Sequence, residues 1–303
     1  MVKIAALLTA TIVLAAVLSS CGGVRGGGDI NVDFVRVDGG TFLMGTPEGV
    51  SGNCWENERP TRNVTVSGFY IGRYLITQAQ WRAVTGRTQR QQQSLASRQW
   101  GHNISLTGEG DRYPVYLVSF IEVIEFINRK SVMAGREPAY EITGEGMGLR
   151  ITWNREANGY RLPTEAEWEF AARGGRGGGD FEFAGSDVAG EVAWYPGNSG
   201  DGAREVGLLR PNALGLYDMS GNVMEWVWDL YSPYPDEDQV DPVSPGGTYR
   251  VTRGGSWYDP NPLHREDRHF RNTPEGFVRV ASRTRHVEWN RHQNVGFRLV
   301  RPL

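Results

Sequence analysis

The chain has 303 residues and a mass of 33.7 kDa, long enough to bury a sizeable core, which excludes a miniprotein that depends on disulfides or metal. Glycine is 40 of 303, about twice the usual ~7 % share, while charged residues make up 22 % and aromatics 11 %; collagen, coiled coil and disorder fit badly, and a loop-rich globular protein remains. The net charge of −3 argues against bulk nucleic-acid binding without excluding a local basic face, and of the 32 basic residues only Lys3 and Lys130 are lysine.

Met1-Val2-Lys3 carries one positive charge, Ile4 to Leu18 is an apolar run, and small residues precede Cys21; residues 1–20 read as a secretory signal. As a helix the run rises about 22 Å, short of the ~30 Å hydrocarbon core, so a transmembrane anchor is disfavoured. Leu18-Ser19-Ser20-Cys21 resembles a bacterial lipobox, which implies a lipidated Cys21 and a flexible tether over residues 21–32. An ordinary signal peptide with an incidental cysteine is the alternative. The location expected from the lipobox reading is the bacterial outer membrane or cell surface. Cys54, the only other cysteine, lies in a polar stretch without a nearby His and is given no role; no disulfide framework can form.

From residue 33 to 303 no second linker or internal repeat interrupts the chain, so one domain is expected. Thr77-x-x-Gln80, Ser119-x-x-Glu122 and Thr164-x-x-Glu167 each place a hydroxyl at an N-cap with Glu or Gln three positions on, and predict helix starts. The second carries Phe120, Val123, Ile124 and Ile127 at helical spacing, and the third ends before Gly174. Gln89 to Gln93 and Gly174 to Gly179 read as low-complexity stretches. Phe34 to Val37, Gly68 to Ile71 and Gly296 to Val300 are β-type runs bounded by turn residues, which makes the domain an irregular α+β fold.

Several segments, in order, resemble one family: Val35 to Gly45 (VRVDGGTFLMG), Glu58-Arg59-Pro60, Phe69 to Thr77, Tyr113-Pro114-Val115, Tyr160 to Glu169 (YRLPTEAEWE), Asn212 to Trp226 (NALGLYDMSGNVMEW), Arg253-Gly254-Gly255-Ser256-Trp257 and Gly296-Phe297-Arg298. They are similar to the formylglycine-generating-enzyme, or sulfatase-modifying-factor, family over about residues 33 to 301. The resemblance implies a C-type lectin fold. Oxidase members of that family carry a copper-holding cysteine pair after the Gly-Gly-Ser-aromatic block, whereas here Tyr258 and Asp259 follow Trp257 and no cysteine occurs after Cys54. Cu(I) selects thiolates, so the oxidase chemistry is not expected. Iron-dependent sulfoxide-synthase relatives need a His cluster partly supplied by an extra helical domain. His264, His269, His286 and His292 match neither a facial triad nor HExxH.

Residues 250–303 hold eleven Arg against five acids, a formal +6 within a chain of net −3. Within them, Arg279-Val280-Ala281-Ser282-Arg283, then Arg291 and Val295-Gly296-Phe297-Arg298, resemble the frame of proteins varied by diversity-generating retroelements, as in the treponemal variable lipoproteins. In that class, adenine-directed mutagenesis alters codons of the asparagine type. Tyr258 to His264 and Thr284 to Val287 contain only residue types reachable that way; Glu288, Trp289 and Gln293 do not pass, and are fixed or derive from other codons. The expected ligand contacts are Tyr258, Asp259, Asn261, His264, Thr284, Arg285, His286, Val287, Asn290, His292, Gln293 and Asn294, with Trp289 as an aromatic floor. Ordinary surface-loop residues are the plainer reading. Arg253, Arg279, Arg283 and Arg298 are assigned to internal hydrogen bonds, since a guanidinium can satisfy several acceptors at once.

The resemblance also implies a structural Ca²⁺ at Asp218, Gly221, Val223 and Glu225, two carboxylates and two carbonyls suited to a hard cation. A turn cap without an ion is the alternative, and no other cofactor is required. The resulting expectation is a non-catalytic surface lipoprotein with a diversified ligand-binding site. Its partners would be an extracellular ligand, protein in nature, and the membrane through Cys21, without nucleic acid, and the chain would be a monomer. A metal-dependent oxidase with an altered site, an activator of a partner enzyme and a purely structural envelope lipoprotein are the rivals.

Overall fold

Each of the three hydroxyl-x-x-Gln/Glu signatures starts a helix in the computed structural model, which describes residues 31–47, 55–244, 246–258 and 275–303. Cys21, Cys54, Asp259, Asn261 and His264 lie outside the described residues. The first half of the chain holds β1 (Phe34–Val37), β2 (Gly40–Met44), β3 (Arg62–Val66), β4 (Phe69–Gly72), α1 (Gln78–Thr85), α2 (Gln89–Trp100), α3 (Phe120–Met133), β5 (Tyr140–Thr143) and β6 (Arg150–Trp153). The second half holds α4 (Glu165–Ala172), α5 (Ala189–Val192), β7 (Ala193–Trp194), β8 (Ser220–Gly221), β9 (Met224–Leu230), β10 (Gln239–Val240), β11 (Arg250–Arg253), β12 (Arg283–His286), β13 (Val295–Gly296) and β14 (Val300–Pro302).

In all three expected helices the cap hydroxyl accepts from the N3 backbone while the N3 side chain accepts from the cap backbone. A fourth box, Thr88 with Gln91, starts α2 inside the stretch read as low complexity. That helix has little apolar periodicity because it docks partly through amides: Gln89 and Gln92 are buried, and their Nε2 groups donate to the carbonyls of Tyr116 (2.9 Å) and Leu117 (3.3 Å).

The central sheet has the order β12-β11-β9-β13. β9 is an interior strand packed on both faces: Met224, Trp226 and Trp228 enter a cluster with Trp81, Phe120 and Phe297, while Val227 enters a second cluster with Trp168, Phe170 and Val251. Met224 to Asp229 are all buried, so Glu225 and Asp229, which alternate with the apolar residues of the strand, are carried inward and need partners there. Two further sheets, β1-β4-β14 and β10-β3-β2, stand beside it, with the short pairs β5-β6 and β7-β8.

The β-type run from Gly296 to Val300 is not one strand. β13 pairs parallel to β9 and β14 pairs antiparallel to β4, so the chain changes sheets between them. Across the change, the carbonyls of Phe297 and Leu299 accept from the backbone N–H groups of Ile76 (2.9 Å) and Gly72 (2.8 Å), which satisfies the backbone outside a ladder.

Candidate ligand-binding site

β11 ends at Gly254 and Gly255, with φ +93° and +65°. A Cβ on Gly255 would stand 2.3 Å from the Phe277 carbonyl oxygen, so only glycine allows the chain to turn here beside residues 275–280. The turn delivers Ser256 and Tyr258 to the mouth of a cavity of about 470 Å³. Ser256 Oγ donates to the Tyr258 carbonyl (2.5 Å) and accepts from Asn294 Nδ2 (3.0 Å), which also donates to that carbonyl (3.2 Å).

The opposite wall is β12, paired antiparallel to β11 in the register Arg250↔His286 to Arg253↔Arg283. It places Thr284, Arg285 and His286 on the cavity. These residues therefore lie on an edge strand rather than a loop. Arg283 and Arg285, two apart and on one face, bracket Tyr231, with guanidinium carbons 4.7 and 4.6 Å from its ring centroid. Aromatic wall comes also from Trp55 and Phe277, whose rings are 6.0 Å apart, and Asn57 Nδ2 donates to Tyr231 Oη at 2.8 Å.

The remaining expected contacts gather at a second place, against the C-terminal turn of α2. Gln99 Nε2 donates to the Trp289 carbonyl (2.9 Å) and Asn290 Oδ1 (3.1 Å), and Trp100 Nε1 donates to the Arg291 carbonyl (2.9 Å). His292 lies against Trp100 (5.6 Å) and against His286 (4.2 Å between centroids), so the two places meet through the imidazoles. His286 Nδ1 is 3.0 Å from Thr252 Oγ1, whereas His292 Nε2 is buried without a hydrogen-bond partner among the described residues. Burial and the neighbouring His292 push the His286 pKa down to about 3, and burial pushes His292 down to about 4; both rings are neutral at pH 7. Val287 and Gln293 are half-buried and do not line the cavity.

Two site expectations are corrected. Asn294 is 3 % exposed and spends its amide on Ser256 and Tyr258, so it positions Tyr258 instead of meeting a ligand. Trp289 is 57 % exposed and does not line the cavity, whose aromatic lining comes from Trp55, Tyr231, Tyr258 and Phe277. Sequence reasoning missed Trp55, Tyr231 and Phe277, together with Asn57, Gln99 and Trp100. Only α2 carried a local signal, the Thr88-x-x-Gln91 box.

The frame arginines all end on carboxylates. Arg279 holds Glu58 (Nη1 at 2.9 Å), Arg283 holds Glu165 (2.8 and 2.7 Å), Arg291 holds Glu122 (Nε at 3.0 Å) and Arg298 holds Glu225 (2.6 and 2.7 Å). Arg253, fully buried, binds Glu169 and donates to the carbonyls of Ala281, Ser282 and Val280. Arg173 and Arg253 hold the Glu169 pKa below the usual carboxylate range against the opposing effect of burial. Bidentate Arg–carboxylate pairs fix direction as well as distance.

Two of the expected calcium ligands already have partners within the chain. Both oxygens of Glu225 are taken by the Arg298 guanidinium, which supplies the positive charge that an ion would bring. Asp218 accepts from the Gly207 N–H (2.9 Å) and Asn222 Nδ2 (3.3 Å), and burial raises its pKa. Ca²⁺ takes six to eight oxygens with carboxylate charge to spare, and here one carboxylate of the two is already neutralised.

Short sheets, four capped helices and long irregular connections around an Arg-pinned C-terminal face define a C-type lectin fold of the formylglycine-generating-enzyme type. The chain belongs to the sulfatase-modifying factor enzyme 1-like domain family, which it matches over residues 29–303. It is similar to the solved structure of Treponema denticola variable protein 1, with a TM-score of 0.70 and 28 % identity, covering 89 % of this chain and 95 % of that one. It is 33 % identical over 269 residues to the chaperone protein LppX of Paenibacillus barcinonensis, covering 79 % of this chain and 83 % of that protein. It is 31 % identical over 270 residues to the inactive C-alpha-formylglycine-generating enzyme 2 of Mus musculus, covering 80 % of each.

Proposed function

We propose that this chain is a non-catalytic, lipid-anchored surface protein that binds an extracellular protein ligand through the β11–β12 cavity and the adjoining patch on α2, and that the side chains there are diversified. The observation that carries this reading is the separation of roles along one segment. Arg279, Arg283, Arg291 and Arg298 are each seated on a glutamate from a distant element, while Thr284 and Arg285 among them and Tyr258 before them are exposed and free to change without disturbing those seats. Similarity to a variable protein and to an inactive formylglycine-generating enzyme supports the reading. Anchoring rests on Leu18-Ser19-Ser20-Cys21 and implies the outer membrane or cell surface.

Sequencing the locus in sibling cells tests it. Substitutions confined to residues 258–294, with Gly254 to Trp257, the frame arginines and Gly296 to Arg298 unchanged, are the expected result; changes scattered along the chain contradict it. A second reading, an activator of a partner protein, draws on the relative named as a chaperone. It predicts an invariant cavity across sibling cells and a stoichiometric complex with one partner.

A further inference from the structure

Arg285 differs from every other arginine around the cavity. It is exposed on β12, and among the described residues its side chain has no hydrogen bond and no ion pair; the guanidinium lies over the rings of Tyr231 (4.6 Å) and Tyr249 (5.7 Å). Arg283, the other arginine on the wall, is neutralised by Glu165 at 2.7 Å. Among the described residues no Asp or Glu lines the cavity, and His286 is neutral at pH 7. Among the described residues, the one uncompensated charge lining this cavity is therefore the Arg285 guanidinium, held by two aromatic faces with its N–H edge unspent.

From this we infer that the cavity of this chain selects a carboxylate carried next to a flat apolar group, the chemistry of an acidic residue beside an aromatic one in a protein ligand. This rests on the cavity being the binding site, as proposed above. The guanidinium fork matches the two oxygens of a carboxylate, and Trp55, Tyr231, Tyr258 and Phe277 offer ring faces for the apolar part. A single fork holds a monoanion; a phosphate dianion would call for a second cation or a cluster of backbone N–H groups, and neither lines this cavity among the described residues. The hydroxyls of Ser282 and Thr284 line the cavity and can hydrogen-bond what lies between the two groups.

The test uses the purified full chain and two isosteric probes, phenylacetate and phenylacetamide, titrated by ligand-observed NMR at low salt. The expected result is saturable binding of phenylacetate, weaker by at least about tenfold for phenylacetamide and by a similar factor for phenylacetate on Arg285→Gln, whose exposed position leaves the fold intact. Equal binding of acid and amide, or phenylacetate binding unchanged in Arg285→Gln, overturns the carboxylate preference while leaving the cavity as a binding site. Absence of binding by either probe also overturns it. An invariant locus in sibling cells would instead count against diversification and leave the acid-over-amide result standing.

Discussion

Arg298 has no exposed surface, and neither has Glu225. Its guanidinium also donates to the carbonyls of Gly72 (3.0 Å) and Tyr217 (3.0 Å), so it joins β4, β9 and the segment before β8. Arg298→Met would leave Glu225 buried without its partner, at a cost of about 3–5 kcal/mol by urea denaturation. A loss below about 1 kcal/mol would contradict the role given to the pair. That Arg253, Arg279, Arg283 and Arg298 turn inward was legible in the sequence, because arginine packed near a polar site is the residue able to satisfy several acceptors at once. Their carboxylate partners were not: Glu225 is 73 positions from Arg298, Glu165 is 118 from Arg283 and Glu58 is 221 from Arg279, and no local pattern links such pairs. The pairing of Glu225 with Arg298 was illegible for the same reason, since the motif shows two carboxylates but not the guanidinium seated on one of them.

At the scale of elements, α2 holds half of the candidate site in place. Gln99 alone donates to Trp289 and Asn290, and its Oε1 accepts from the Arg291 N–H (3.2 Å). Each such bond contributes on the order of 1 kcal/mol net, so Gln99→Ala should speed hydrogen exchange of the 289–291 amides by about five- to tenfold and leave Thr284 to His286, held by β11, unchanged. Equal exchange at 289–291 would show that the patch stands without α2. Three helices were legible through their capping boxes, which are short-range signals. α2 was not, because Gln-rich composition concealed a helix that docks with amides in place of an apolar stripe. β12 escaped notice because Arg283 to His286 carries no alternation of apolar and polar residues; its pairing with β11 and the seat of Arg283 on Glu165 define it.

For the molecule as a whole, three titratable groups tie stability to pH. His286 and His292 have folded pKa values of about 3 and 4 against 6.5 for an ordinary imidazole, so below pH 6.5 the unfolded chain takes up protons that the native state refuses; their contribution is full above 6.5 and is lost on acidification. Asp229 acts in the opposite sense. Burial, and Glu165 beside it, raise its pKa to about 7 from 3.8, so the native state keeps a proton that the unfolded chain releases, and its contribution falls as pH rises from about 4 to 7. In urea titrations between pH 4.5 and 6.5, stability should therefore rise with pH more steeply in Asp229→Asn than in the parent chain, and less steeply in the His286→Gln/His292→Gln pair; parallel profiles would contradict these assignments. The central claim is that frame and face are energetically separate, and it is tested most directly by comparing the urea-unfolding free energy of Tyr258→Ser/Thr284→Ala/Arg285→Ser/Trp289→Ser with that of Arg283→Met. Four exposed or rim substitutions at about 0.5 kcal/mol or less each should cost together no more than about 2 kcal/mol, against about 3–5 kcal/mol for the single frame change. A fourfold variant that unfolds as readily as Arg283→Met would contradict the account.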